Sequence, residues 1–99
     1  MATFLELING NKPVLVDFFA TWCGPCKMMS PVLEDLKARV GDKAVIIKVD
    51  VDRQPAAATA YQVQGVPTLM LFRQGKILWR QSGVVPASDL QRLIEQHSG

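Results

Sequence analysis

The segment Pro13-Val14-Leu15-Val16-Asp17-Phe18-Phe19-Ala20 constrains the fold more than any other. It is a continuous apolar run rich in β-branched and aromatic residues. Such a run reads as a strand covered on both faces, not one that alternates between core and solvent. A strand of that kind needs a layer above it and a layer below. The chain supplies one at once: from about Cys23 to Val40, the apolar residues Met29, Val32, Leu33, Leu36 and Val40 recur at helical spacing. Gly41 stands where such a helix would end, and Pro31 inside it predicts a kink. Ala44 to Val51 is a second apolar strand, so strand, helix and strand read as a right-handed βαβ unit.

The remaining segments complete the layers. Thr3 to Asn9 reads as a short helix with Phe4, Leu5, Leu7 and Ile8 as its apolar side, closed by Gly10-Asn11. Pro55 opens an Ala-rich helix that runs to about Tyr61. Thr68 to Phe72 is a third strand, Gln74-Gly75 a hairpin turn and Lys76 to Ser82 a fourth strand. Pro86 opens a last helix with Leu90, Leu93 and Ile94 facing in. The order α-β-α-β-α-β-β-α predicts an α/β fold: a mixed sheet with helices on both faces, in one domain over residues 1–99.

Composition removes several classes of function. With 48% hydrophobic residues the chain can fill one modest core. Its 11 basic and 9 acidic residues are spread along the chain and leave a net charge of +2, so there is no basic stripe to favour nucleic acid. No apolar run approaches the length of a membrane span. Met1-Ala2-Thr3-Phe4-Leu5-Glu6 has no basic n-region and soon meets an acid, which does not read as a secretory signal.

The chemistry gathers at Cys23-Gly24-Pro25-Cys26. As a structural staple this pair is poorly placed, because closing so short a loop contributes on the order of 2 kcal/mol against about 4.7 for a 100-residue loop. A redox or metal role fits better, and either suits a reducing cytosol. The motif lies where the first strand hands over to the long helix. Backbone N–H groups and the helix dipole favour an anion there, and the thiolate is the reactive form of cysteine. Cys26 follows one turn along the same face, within reach of Cys23. Pro25 pre-sets helical φ, and Gly24 leaves the adjoining surface open. The alternatives are half a zinc site or two unrelated core cysteines. Zinc normally takes four ligands, whereas this chain has no second cysteine pair and a single histidine, His97. The βαβ setting of the motif favours the redox reading.

Asp17 is out of place in an apolar strand. Burial of a carboxylate raises its pKa toward that of a base useful at neutral pH. A structural Asp bonded to backbone or to Lys48 is the plainer alternative.

Val14 to Lys27, with Trp22-Cys23-Gly24-Pro25-Cys26-Lys27 at its end, resembles the signature segment of thioredoxins. Gly65-Val66-Pro67-Thr68, Phe72 and Gly75 resemble the family's cis-proline segment and the hairpin after it. Lys48-Val49-Asp50-Val51-Asp52 and Gly83 also match. The resemblance implies Cys23 as nucleophile, Cys26 as resolving cysteine, Asp17 as the buried proton acceptor for Cys26, and Lys48 as its charge partner. It implies a cis bond before Pro67, and a substrate groove drawn from Trp22, Gly24, Pro25, Val66, Pro67, Gly83 and Val84. It implies a protein-disulfide reductase without a bound cofactor, monomeric and cytoplasmic. The partners implied are disulfide-containing proteins and a flavoprotein, NADPH-dependent thioredoxin reductase. It also implies a spatial strand order of 44–50, 13–20, 67–73, 76–82; the segment before Pro13 is long enough for only one short helix, so the family's usual first strand is expected to be missing. Phe19 stands where many members carry Trp, and Ser82 replaces an apolar residue beside the groove. The reading from another class is a binding module that docks partners through Trp22 and Pro67 without turnover. On burial by helix packing, Cys26 is expected to be covered and the Cys23 sulfur to face solvent.

Overall fold

The computed structural model describes residues 3–98. Its elements follow the expected order: α1 (Phe4–Ile8), β1 (Val14–Phe19), α2 (Gly24–Val40), a 3-10 turn at Gly41–Lys43, β2 (Val45–Asp50), α3 (Pro55–Ala60), β3 (Thr68–Arg73), β4 (Lys76–Ser82) and α4 (Ala87–Gln96). The sheet has four strands among the described residues, in the order β2-β1-β3-β4. β1 and β2 are parallel, while β3 runs antiparallel to both of its neighbours, β1 and β4.

Strand β1 is central and covered on both faces, as its composition requires. Leu15 points into a cluster with Met29, Leu33, Leu36 and Val40 of α2 and Leu90 and Ile94 of α4. Val14, Val16 and Phe18 point the other way, into a cluster with Ile8 of α1, Ala57 of α3 and Tyr61 just after it. On that side Phe4 and Tyr61 set their rings edge-on to Phe72, with centroids 6.0 and 5.1 Å away. Side chains alternate along a strand, so Asp17 shares the face of Leu15 and lies under α2.

Local chemistry explains the boundaries. Thr3 caps α1, its hydroxyl accepting from the Glu6 N–H at 3.2 Å. Gly41 ends α2 with φ +56. α2 is continuous through Pro31, whose ring is exposed. Pro86 is the cap of α4 and not its first residue; the helix begins at Ala87. In the hairpin, Gln74 and Gly75 both have positive φ, +54 and +80, as a two-residue turn matched to strand twist requires. The Gly75 N–H donates to the Ile8 carbonyl at 2.8 Å. The Asn9 side chain occupies the space that a Cβ at Gly75 would need, which docks the end of α1 against this turn.

Candidate active site

β1 ends at Phe19, and Ala20, Thr21 and Trp22 carry the chain over the sheet edge into α2. Cys23 is the N-cap of that helix: its φ and ψ are extended, and its Sγ accepts from the Cys26 N–H at 3.1 Å. A sulfur therefore occupies the place where a Ser or Asp oxygen ordinarily satisfies the first free N–H groups of a helix. Cys23 and Cys26 are joined as a disulfide, with their Cα atoms 5.3 Å apart. Gly24 is exposed, and a Cβ built on it meets nothing within 4 Å. The open surface beside the sulfurs is thus a consequence of glycine at this position.

The expected exposure of Cys23 is corrected. The two cysteines are 4% and 3% exposed, and both pack with Ala20 against Phe19, Val51 and Val66. The Cys23 sulfur is tied to Cys26 and lies 3.6 Å from the Val66 carbonyl oxygen, so exposure does not distinguish the pair. The helix cap does, because only the Cys23 sulfur receives a helix N–H.

The Val66–Pro67 bond is cis. Pro67 is buried, and its carbonyl accepts from the Gly83 N–H at 2.9 Å. Gly83 has φ +95, a conformation side chains rarely adopt. Next to it in the chain Val84 is 40% exposed, and Trp22, just before Cys23, is 70% exposed. A large indole and a valine are thus left in solvent, and neither is a core residue. Trp79, in contrast, is half-buried against the α2–α4 cluster, where a packing residue belongs.

Trp22 is also held. Its Nε1–H donates to Asp52 Oδ2 at 2.9 Å, and the Asp52 N–H donates to Asp50 Oδ1 at 2.9 Å. In the sequence Asp52 stands out only as part of a stretch that matches the family. A further signal is positional: β1 and β2 are parallel neighbours, so the residues after their ends must meet. Ser82, the departure beside the groove, lies with its Oγ 3.2 Å from Thr68 Oγ1, which bonds the Gly65 carbonyl.

Asp17 is fully buried, and neither carboxylate oxygen has a protein hydrogen-bond partner. The alternative of a structural Asp bonded to backbone is not what the structure contains. Burial raises its pKa from 3.8 to about 6, and the positive charge of Lys48 works against that rise. Lys48 lies opposite Asp17 in the β1–β2 register, but the expected ion pair is absent. The Lys48 Nζ donates to Ser30 Oγ at 3.3 Å and sits 4.6 Å from the centre of the Phe19 ring. Its partnership with Asp17 is through field alone. Among the described residues, no group of three or more His, Cys, Asp or Glu side chains converges to hold a metal. No helix among them is long and apolar enough to cross a membrane.

Comparison with known proteins agrees with this geometry. Residues 1–96 match the family model described as Thioredoxin. A thioredoxin-like protein of Synechocystis is 50% identical over 95 residues, 95% of this chain and 90% of that protein. The chloroplastic thioredoxin Y2 of Arabidopsis thaliana is 44% identical over 89 residues, 90% of this chain and 53% of that longer protein. Among solved structures, the thioredoxin of Malassezia sympodialis superposes with a TM-score of 0.87 at 42% identity, covering 97% of this chain and 84% of that one.

Proposed function

This chain belongs to the thioredoxin family, and on that premise we propose that it is a thiol–disulfide oxidoreductase that reduces disulfides in protein substrates. The observation that carries the reading is the placement of Cys23: a cysteine bonded to Cys26 whose sulfur is the cap of a 17-residue helix. On reduction, the N–H and dipole that meet this sulfur favour its thiolate.

The positions of the residues support the following cycle. In the dithiol form, the Cys23 thiolate attacks a substrate disulfide. A mixed disulfide forms, and one substrate sulfur leaves as a thiolate. Cys26 gives its proton to Asp17, which is buried beneath α2 with no partner of its own. The Cys26 thiolate then attacks Cys23 Sγ, the mixed disulfide breaks, and the second substrate sulfur leaves. Two electrons have passed to the substrate and Cys23–Cys26 is again a disulfide. The cysteines carry the electrons, so no bound cofactor is required. Trp22, Gly24, Pro25, Val66, Pro67, Gly83 and Val84 form the surface that receives the substrate, with the Val66 backbone available to an extended segment as in strand addition.

For regeneration we propose an NADPH-dependent flavoprotein thioredoxin reductase. We also propose that residues 1–99 act as one monomeric domain in the cytoplasm, a reducing compartment suited to a redox pair. The test is turnover of a disulfide-containing protein with dithiothreitol as reductant, together with the couple's potential in a glutathione buffer. Turnover with a potential more reducing than the glutathione pool supports the reductase. Binding of partners without turnover, retained when both cysteines are replaced, supports the binding module instead.

A further inference from the structure

Lys48 is placed to pair with Asp17, yet it acts on the carboxylate only through its field and makes no direct ion pair with it. The two residues are opposite each other in the parallel β1–β2 register, so their side chains leave the sheet on the same face. Both Asp17 oxygens are nevertheless without a protein partner. The Lys48 ammonium is anchored elsewhere, 3.3 Å from Ser30 Oγ and 4.6 Å from the centre of the Phe19 ring. Ser30 follows Cys26 by four positions on α2, one turn along the same helix face. Phe19 follows Asp17 by two on the same face of β1. Cys26, Ser30, Lys48 and Phe19 all line one cavity of about 230 Å³.

A lysine that reached the carboxylate would have a simple effect. An opposite charge within about 4–6 Å favours the ionised acid and lowers its pKa by roughly 1–3 units. An Asp17 held ionised by a direct ion pair would be a poor acceptor for a thiol proton. The ammonium instead makes two weak interactions, one with a hydroxyl and one with an aromatic face. A mid-helix serine would otherwise turn its hydroxyl to the helix backbone or to solvent.

We propose that Ser30 is a positioning residue: with the Phe19 ring it holds the Lys48 ammonium away from Asp17, leaving the carboxylate free to take and return the Cys26 proton. The proposal rests on the base role of Asp17 given above. The charged and titratable groups around the pair are few. β2 contributes Lys48, α2 contributes Cys26 and Lys27, and β3 sets the apolar Leu69 opposite Asp17. Beyond Ser30, Glu34 and Lys37 share a smaller cavity of about 70 Å³ with Lys48 and pair with each other at 3.8 Å.

The experiment is a carbon-13 NMR titration of the Asp17 carboxylate in the oxidised protein, which needs no catalytic activity. Ser30→Ala frees Lys48 to close on Asp17, and the midpoint falls by about one pH unit, the low end of the effect of a nearby opposite charge. Ser30→Thr, which keeps the hydroxyl, restores the parent value. In a Lys48→Met background Ser30→Ala changes nothing further. A midpoint that Ser30→Ala leaves unchanged or raises overturns the proposal; that is the result if the freed lysine turns to Glu34. An equal fall in the Lys48→Met background overturns it as well, since Ser30 would then act without the lysine. The pH profile of disulfide exchange in Asp17→Asn tests the base role separately. A profile identical to the parent overturns that role and the functional half of this proposal, even if the NMR shifts are as expected.

Discussion

Replacing Asp17 by Asn should stabilise the protein at neutral pH relative to its effect in acid, and the pH dependence identifies the cause. The Asp17 pKa is raised from 3.8 to about 6 by burial. A raised acid pKa means that the native state holds a proton the unfolded chain has already lost. Below about pH 4 the group is protonated in both states and contributes nothing to the difference. Between about pH 4 and 6 the native state binds more protons than the unfolded state, so stability falls as pH rises. Above about pH 6 the loss is complete. At about 1.36 kcal/mol for each pH unit that separates the folded and unfolded pKa, the loss amounts to about 3 kcal/mol. The carboxylate is fully buried, so screening by water removes little of this.

Asn in the same place leaves a buried amide without partners, a loss of about 1–3 kcal/mol that does not depend on pH. The absolute gain at pH 7 is therefore small. Between about pH 3.5 and 7, the difference between variant and parent changes by the full amount of about 3 kcal/mol. A domain of this size moves by about 4–8 °C per kcal/mol, so the two melting curves should shift relative to each other by on the order of 10–20 °C across that range. The assay is thermal unfolding of the oxidised proteins at half-unit steps of pH. Other titrating groups are common to both proteins and cancel in the difference. A gap between parent and variant that stays constant from about pH 3.5 to 7 refutes the reasoning, because Asp17 would then have the same pKa folded and unfolded.

Three further outcomes follow from the site. In the reduced protein an alkylating agent should modify Cys23 before Cys26, and Cys26→Ser should accumulate a mixed disulfide with substrate while Cys23→Ser accumulates almost none; mass spectrometry of trapped complexes compares them, and equal trapping would reverse the two roles. Asp52→Ala removes the acceptor that holds the Trp22 ring, so the fluorescence anisotropy of Trp22 should fall and KM for a protein substrate should rise several-fold with kcat little changed; an unchanged anisotropy would show that the bond does not restrain the ring. Gly83→Ala puts a side chain at φ +95 and should cost about 1–3 kcal/mol in urea unfolding, although open space surrounds the site; a loss below about 0.5 kcal/mol would show that the loop relaxes without strain.

The fold was legible in the sequence because its signals are covalent or periodic. The two-faced apolar run of β1, the helical spacing from Met29 to Val40, and the glycine at Gly41 each name an element directly. The site was legible in part. Cys23 and Cys26 announce themselves by spacing, and Asp17 by being a charge in an apolar run. What remained hidden are relations between elements. The bond from Trp22 to Asp52 depends on how two strand ends meet. The anchoring of Lys48 depends on which of several neighbours a flexible side chain selects, and a one-residue difference in register would change the choice. The burial of Cys23 is hidden for a similar reason: its position at a helix start says that it meets N–H groups, but packing by Val51 and Val66 comes from segments roughly thirty to forty residues away.

The site gathers residues that folding alone would not select. An unpartnered carboxylate in the core lowers stability, and an indole that is 70% exposed and a glycine at φ +95 add nothing to the core. All three lie around the end of β1 and the start of α2. That clustering separates a redox enzyme from a docking scaffold. A scaffold has use for Trp22 and for the Gly83 turn, which shape the surface. It has no use for Asp17, which lies beneath that surface and touches no partner, yet weakens the fold at every pH above about 6. The proposed proton transfer gives such a group a purpose, and the thiol of Cys26, buried near the start of α2, is the donor that the proposal assigns to it.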